Sequence, residues 1–346
     1  MTTLAYTLRQ RLVRYDELIA CRTAFIDART PGSDQKENFT IIGPGVAENP
    51  GQHVHVRIPH GFNIGAARQP KGCINSQHSH VSEEVFMVHR GAWRFMWGED
   101  GSDGDITLHE GEVISIPINV FRGFECVSDE PGFLFAILGR DDPGHVTWAP
   151  YVFEQARDHG LVLLESGRLF DTVEEGDLPH DDRACAPTSA DEAAAMRRMS
   201  ADEMRRCVIR QNDYRASINS AIAQRAKGVT EAPILGPANA AEHIDEGEVA
   251  TPHGFVFRRL SLQAHACIPP HTRAEEEVLF VHQGEVEICV NDARFVLREG
   301  DTFTTPIGAV RSLRESDAQP ACVFVVRRGD MPVAPLWLDQ ANVAVR

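Results

Sequence analysis

Along most of the chain, short apolar runs alternate with polar positions and break at Gly, Asp, Asn or Pro. Residues Ala92–Trp97 form one such run, followed by a turn-rich stretch at 98–104 and a second run at 106–108. A period of two with regular turns predicts short strands of an all-β barrel or sandwich. Two segments depart from this pattern. Leu8, Leu12, Tyr15 and Ile19 recur at helical spacing with Arg9, Arg11 and Arg14 between them, which predicts an amphipathic amino-terminal helix packed on a domain. Between residues 154 and 217 the composition shifts: 171–187 is acidic and punctuated by proline, whereas 189–211 is rich in Ala, Met, Glu and Arg. Ser189 with Glu192, and Ser200 with Glu203, fit capping boxes, in which a hydroxyl and a carboxylate three residues apart satisfy free amides at a helix start. The stretch therefore reads as a linker with helices.

The pattern also repeats. Residues 83–91 (EEVFMVHRG) return as 276–284 (EEVLFVHQG), and 111–117 (GEVISIP) return as 300–306 (GDTFTTP). An arginine follows each proline by five positions, Arg122 in one copy and Arg311 in the other. One fold used twice predicts three parts: 1–160, the amino-terminal helix and first barrel; 161–225, an acidic and helical linker; and 226–346, the second barrel.

With 346 residues, 42% of them hydrophobic, the chain is long enough for two cores. Its 34 basic and 50 acidic residues give a formal net charge of -16, which repels phosphate backbones and anionic lipid. Nucleic acid and membrane are accordingly not expected as partners, and no segment approaches the roughly 20 apolar residues of a membrane span. Eight scattered cysteines without a CxxC pair indicate neither a zinc ribbon nor a disulfide framework, and the expected compartment is the cytoplasm.

The candidate chemistry lies just before the first repeat. His78 and His80 stand two apart and Glu84 four beyond. Residues i and i+2 of a strand share a side, so both imidazoles can face a barrel interior while Glu84 enters from the next strand. Two neutral nitrogens and one anionic oxygen with open positions left over are the facial set of non-haem iron(II), which zinc, manganese and nickel also accept. The competing reading is a pair of buried, hydrogen-bonded core histidines. Three ligand-type residues at this spacing favour the metal. In the second copy His271 and Glu277 persist, but Arg273 stands in place of the second histidine. Guanidiniums repel a dication, so this barrel is expected to be metal-free. Arg273 and Arg311 either bind a carboxylate or are neutralised by Glu277 as part of the barrel. His53, His55 and His60 form a further histidine-rich stretch, read as packed or solvated, while His89 and His282 are read as aimed away from the interior.

These residues resemble the cupin superfamily. Its first motif is matched at every spacing by Gly72, His78, His80, Glu84 and Gly91. Its second is matched by Gly111 and Pro117, with Asn119 in place of a glycine and Arg122 where a last histidine ligand stands. The resemblance implies an all-β bicupin, two tandem double-stranded β-helix (jelly-roll) barrels, and a homodimer. It implies a metal-dependent enzyme, foremost an Fe(II) dioxygenase acting with O2 on a small phenolic or enolic acid, with Arg122 as substrate or charge clamp. Phe86, Val88, Phe95, Trp97, Ile114, Ile116, Phe121 and Phe124 are expected to wall an apolar cavity for that small-molecule substrate. The alternatives are an isomerase, lyase or hydrolase using Zn, Mn or Ni as Lewis acid, or a non-catalytic binding bicupin. Oxalate-degrading members generally keep four ligands in both barrels, from which this chain departs.

Overall fold

A computed structural model describes residues 7–338. They divide into two compact units, one formed by Ile19–Arg210 and the other by the segment ending at Leu18 together with the chain from Gln211 onward. Each is a β-barrel of two facing sheets, antiparallel throughout except where Glu37–Ile42 pairs in parallel with Val54–Val56. Among the described residues, no helix is long and apolar enough to cross a membrane.

In the first unit one sheet carries, in order, Val208–Ile209, Val113–Ile116, Glu84–Arg90, Gly132–Gly139, Phe62–Gln69, Glu37–Ile42 and Val54–Val56. The other carries Thr147–Trp148, Ile74–Ser79, Arg122–Cys126, Ala92–Trp97 and Gly104–His109. Strand alternation builds the core directly. In Ala92–Trp97, Trp93, Phe95 and Trp97 are buried while Ala92, Arg94 and Met96 are partly exposed, the two faces of a half-buried strand. Trp93, Phe95, Trp97, Val88, Ile114 and Ile116 share one apolar cluster with Phe86 and Phe124.

The second unit repeats the plan. Its sheets run Leu12–Val13, Thr302–Thr305, Glu277–Gln283, Ala321–Arg328, Phe255–Leu262, Val229–Leu235, and Ala293–Leu297, Val286–Val290, Arg311–Glu315, Cys267–Thr272, Leu336–Trp337.

The amino-terminal segment differs from expectation. Among its described residues only 7–9 are helical; Leu12–Val13 is a strand, with Leu12 opposite Phe303, and residues 1–6 lie outside the described chain. Leu8 and Leu12 are buried in the second barrel's core, whereas Ile19 is half exposed. The spacing of Leu8 and Leu12 suits a turn followed by a strand as well as a helix, and the free edge of Thr302–Thr305 decides the matter. The corresponding edge in the first barrel is filled by Val208–Ile209, with Val208 opposite Ile114. Residues 7–18 therefore belong to the second barrel, not to the first, where the sequence pattern assigned them, and most of the expected linker folds onto the first barrel. Both capping boxes form, at Ala190–Ala195 and Ala201–Arg205. Trp97 Nε1 donates to Met199 O at 2.9 Å, and Met199 and Met204 join the first barrel's core.

Candidate metal centre

Sheet register brings the site together. His78, near the end of Ile74–Ser79, lies opposite Arg122 on one neighbouring strand and Trp148 on the other. A tight turn then returns the chain so that Glu84 opens Glu84–Arg90. Ligand atoms of His78, His80 and Glu84 lie within 4.8 Å of one another, and all three side chains are buried. The two imidazole rings stand 5.2 Å apart at 80°, and His80 Nε2 is 3.8 Å from Glu84 Oε1.

Several contacts prepare these donors. His78 Nδ1 is 2.7 Å from Ser76 O; a carbonyl only accepts, so Nδ1 carries the proton and Nε2 keeps its lone pair. The Ser76 peptide is itself anchored, its N–H donating to Asp27 Oδ2 at 3.0 Å, and Asp27 is paired with buried Lys36. Trp148 packs against the His78 ring at 5.3 Å. Its Nε1 donates to Glu48 Oε1 at 2.6 Å, and burial pushes the Glu48 carboxyl up to about 8. Burial, reinforced by the Arg122 charge, holds both site histidines well below the usual imidazole range, in the neutral form a metal requires. Burial lifts the Glu84 carboxyl, against the pull of Arg122.

Arg122 points inward. Its Nη2 donates to Glu84 Oε2 and its Nη1 to His78 O at 3.1 Å. It thus holds one oxygen of Glu84 and leaves Oε1 toward His80. The donor set fits a divalent cation: the imidazoles are neutral, His80 Nε2 faces Glu84 Oε1, and Glu84 has an oxygen to give. The turn beside the site explains the altered motif. Asn119 has φ +58° and its N–H donates to His80 O; in the second barrel Gly308 has φ +69° and donates to Arg273 O. A left-handed residue is needed there, and asparagine tolerates that conformation better than most.

The three donors open onto a cavity of about 80 Å³. Of the expected wall residues only Phe86 and Phe124 line it; the others pack in the cores. Sequence reasoning missed Trp148, Asn38, Gln52, Phe25 and Val46, which do line it. A signal for Trp148 existed, because Trp148 and Trp337 stand at the same distance beyond Arg122 and Arg311; Trp337 covers His271 at 5.1 Å. Among the described residues, the candidate metal-ligand group contains neither His53, His55 nor His60. His53 and His55 rings meet edge to face, and His60 Nδ1 binds Ile58 O just as His253 Nδ1 binds Thr251 O, a structural feature of both barrels.

In the second barrel the equivalent space is largely filled, leaving about 20 Å³ beside His271 and Glu277. Arg273 Nη1 meets Glu242 Oε1 at 2.8 Å, and Arg311 Nη1 meets Glu277 Oε1 at 3.3 Å. Arg327 Nε meets Glu277 Oε2 at 2.6 Å and Arg258 Nη1 meets Glu231 Oε1 at 3.1 Å. All are buried. Register identifies the substitutions: Leu138, opposite Glu84, corresponds to Arg327, opposite Glu277; Gly65, opposite Ala136, corresponds to Arg258, opposite Val325. Small or apolar residues leave the larger cavity in one barrel, and long charged ones shrink it in the other. The arginines are thus neutralised internally, one of the two expected readings.

The cupin domain model matches twice, over residues 67–138 and 258–327. Two stretches of the chain, one in each barrel, therefore match the cupin domain, an arrangement consistent with a bicupin. Among solved structures it is similar to oxalate decarboxylase from Bacillus subtilis, with a TM-score of 0.56 and 11% identity over 95% of this chain and 78% of that one. It is similar also to the formate complex of oxalate decarboxylase from Lactobacillus farciminis, at 0.56 and 11% over 97% and 90%. At such identity these likenesses establish the fold. No curated protein matches by sequence.

Proposed function

We propose that the first barrel is the active site of a metal-dependent enzyme, with His78, His80 and Glu84 holding a divalent metal, and that its substrate is a small organic acid. The observation that carries this reading is the convergence of two neutral imidazoles and one carboxylate on a partly open, mostly apolar cavity. A bound metal would supply Lewis acidity and, as Fe(II), an oxygen-reactive redox centre. The chain's own residues do the rest. Ser76 fixes the His78 tautomer, Arg122 orients Glu84 and offsets its charge, and Trp148 with Phe124 keeps bulk water from the His78 ring. With Arg122 in place of a fourth protein ligand, the donor set is the three-ligand type used by iron(II) oxygenases, and the finer reading is an Fe(II) dioxygenase of phenolic or enolic acids.

A redox-neutral lyase is the second reading. It is favoured by the likeness to oxalate decarboxylases, one of which is described with Mn(II) centres. Oxygen uptake and CO2 release, followed together on Fe(II)- and Mn(II)-loaded protein with phenolic, enolic and short dicarboxylic acids, separate the two. Stoichiometric oxygen consumption with Fe(II) supports the dioxygenase. Release of CO2 without net oxygen consumption supports the lyase, and neither with any acid contradicts both.

A further inference from the structure

The cavity of the first barrel has polar lining beyond the three donors. Asn38, on Glu37–Ile42, and Gln52, in the loop before Val54–Val56, line the same cavity as the three metal-type donors. Asn38 is 7% exposed. Among the described residues, its Nδ2 donor and the Gln52 Oε1 acceptor have no partner, while Gln52 Nε2 reaches only His53 O at 3.5 Å. Buried amide groups left unmatched cost stability. The second barrel shows the alternative. Asn38, opposite Ala67, corresponds in register to Glu231, opposite Leu260, and there the side chain is held by Arg258 and Arg327. The position is satisfied where it is structural and left open where there is a cavity.

These amides also have no cation beside them in the lining, which contains no lysine or arginine. A carboxylate placed there would meet an acceptor oxygen and lose its hydration without a cation in return. A hydroxyl both accepts from an amide N–H and donates to an amide oxygen. We propose that Asn38 and Gln52 form a subsite for a substrate hydroxyl, so that the site selects monoanionic hydroxy acids over their deoxy and dicarboxylate counterparts. The inference rests on the reading that a metal on His78, His80 and Glu84 takes the carboxylate end.

Isothermal titration under nitrogen tests it, using metal-loaded protein with 4-hydroxybutanoate, butanoate and succinate, and with 3-hydroxybenzoate, benzoate and isophthalate. In at least one set the hydroxy acid is expected to bind about ten-fold more tightly than both counterparts. That advantage is expected to vanish in Asn38→Leu and in Gln52→Leu. Asn38→Asp, nearly the same shape, keeps the fold testable if leucine does not, and is expected to abolish the preference as well. Metal content is measured on every sample. Equal or undetectable binding of the hydroxy acids by metal-loaded wild type, tightest binding of a diacid, or a preference that survives the variants overturns the subsite. Failure of the protein to take up metal is a distinct result that counts against the metal reading; the same pairs titrated into that protein then still decide the hydroxyl preference.

Discussion

Arg122 occupies the sheet position beside His78 where a fourth ligand would stand, and its guanidinium pairs with the carboxylate of Glu84. Both side chains are buried. The pair fixes which Glu84 oxygen is free, and among the described residues Arg122 forms an ion pair with no other acid.

Removing that partner leaves a buried carboxylate without a counter-charge. Arg122→Gln is expected to destabilise the first barrel by about 3–5 kcal/mol in metal-free protein. The loss is expected to be smaller when a divalent metal is present, because the cation then faces Glu84. Urea unfolding followed by tryptophan fluorescence, with and without metal, reads both effects. An unchanged midpoint in metal-free protein would contradict the pairing.

The arginines of the second barrel are structural on this account. Arg327→Met removes the arginine that Glu277 and Glu231 share, leaving Arg311 on the first and Arg258 on the second, and is expected to cost up to about 3 kcal/mol, measured by the same unfolding experiment, while metal content stays at the wild-type level. Loss of metal in this variant would contradict the assignment of the metal to the first barrel.

The metal-ligating pattern was legible because all three donors fall within one strand–turn–strand unit, where spacing alone determines which side chains converge. Arg327, Arg258 and Glu231 were not, because Arg327 meets Glu277, and Arg258 meets Glu231, only through cross-strand register between segments apart in sequence. Trp148 was likewise hidden, although the repeat extended beyond its two motifs would have reached it. The amino-terminal strand was misread because Leu8 and Leu12 satisfy helical spacing, and only a distant sheet edge distinguishes the alternatives.

Acid should weaken the second barrel before it protonates the ion network. Burial lowers His271 to about 4 from 6.5. The unfolded chain therefore takes up a proton below 6.5 that the folded barrel refuses, and stability falls as pH drops from 6.5 through 4. Burial opposes ionisation of Glu231, yet Arg258, Arg327 and Arg273 outweigh it and lower the carboxyl to about 2, from 4.5. Its contribution is complete above 4.5 and is lost as pH falls toward 2. Hydrogen exchange of peptides spanning Phe255–Leu262 and Ala321–Arg328, corrected for intrinsic rates, should show protection decreasing steadily over this range. Constant protection between about pH 7 and pH 4 would exclude the effect.

The most direct measurement is elemental analysis of protein purified without added metal, comparing wild type with His78→Ala and Arg273→Ala. The account predicts about one divalent metal per chain in wild type and in Arg273→Ala, and none in His78→Ala. Protein that holds no metal even after anaerobic addition of iron or manganese, or that holds it equally in His78→Ala, would contradict the claim that the first barrel is a metal centre.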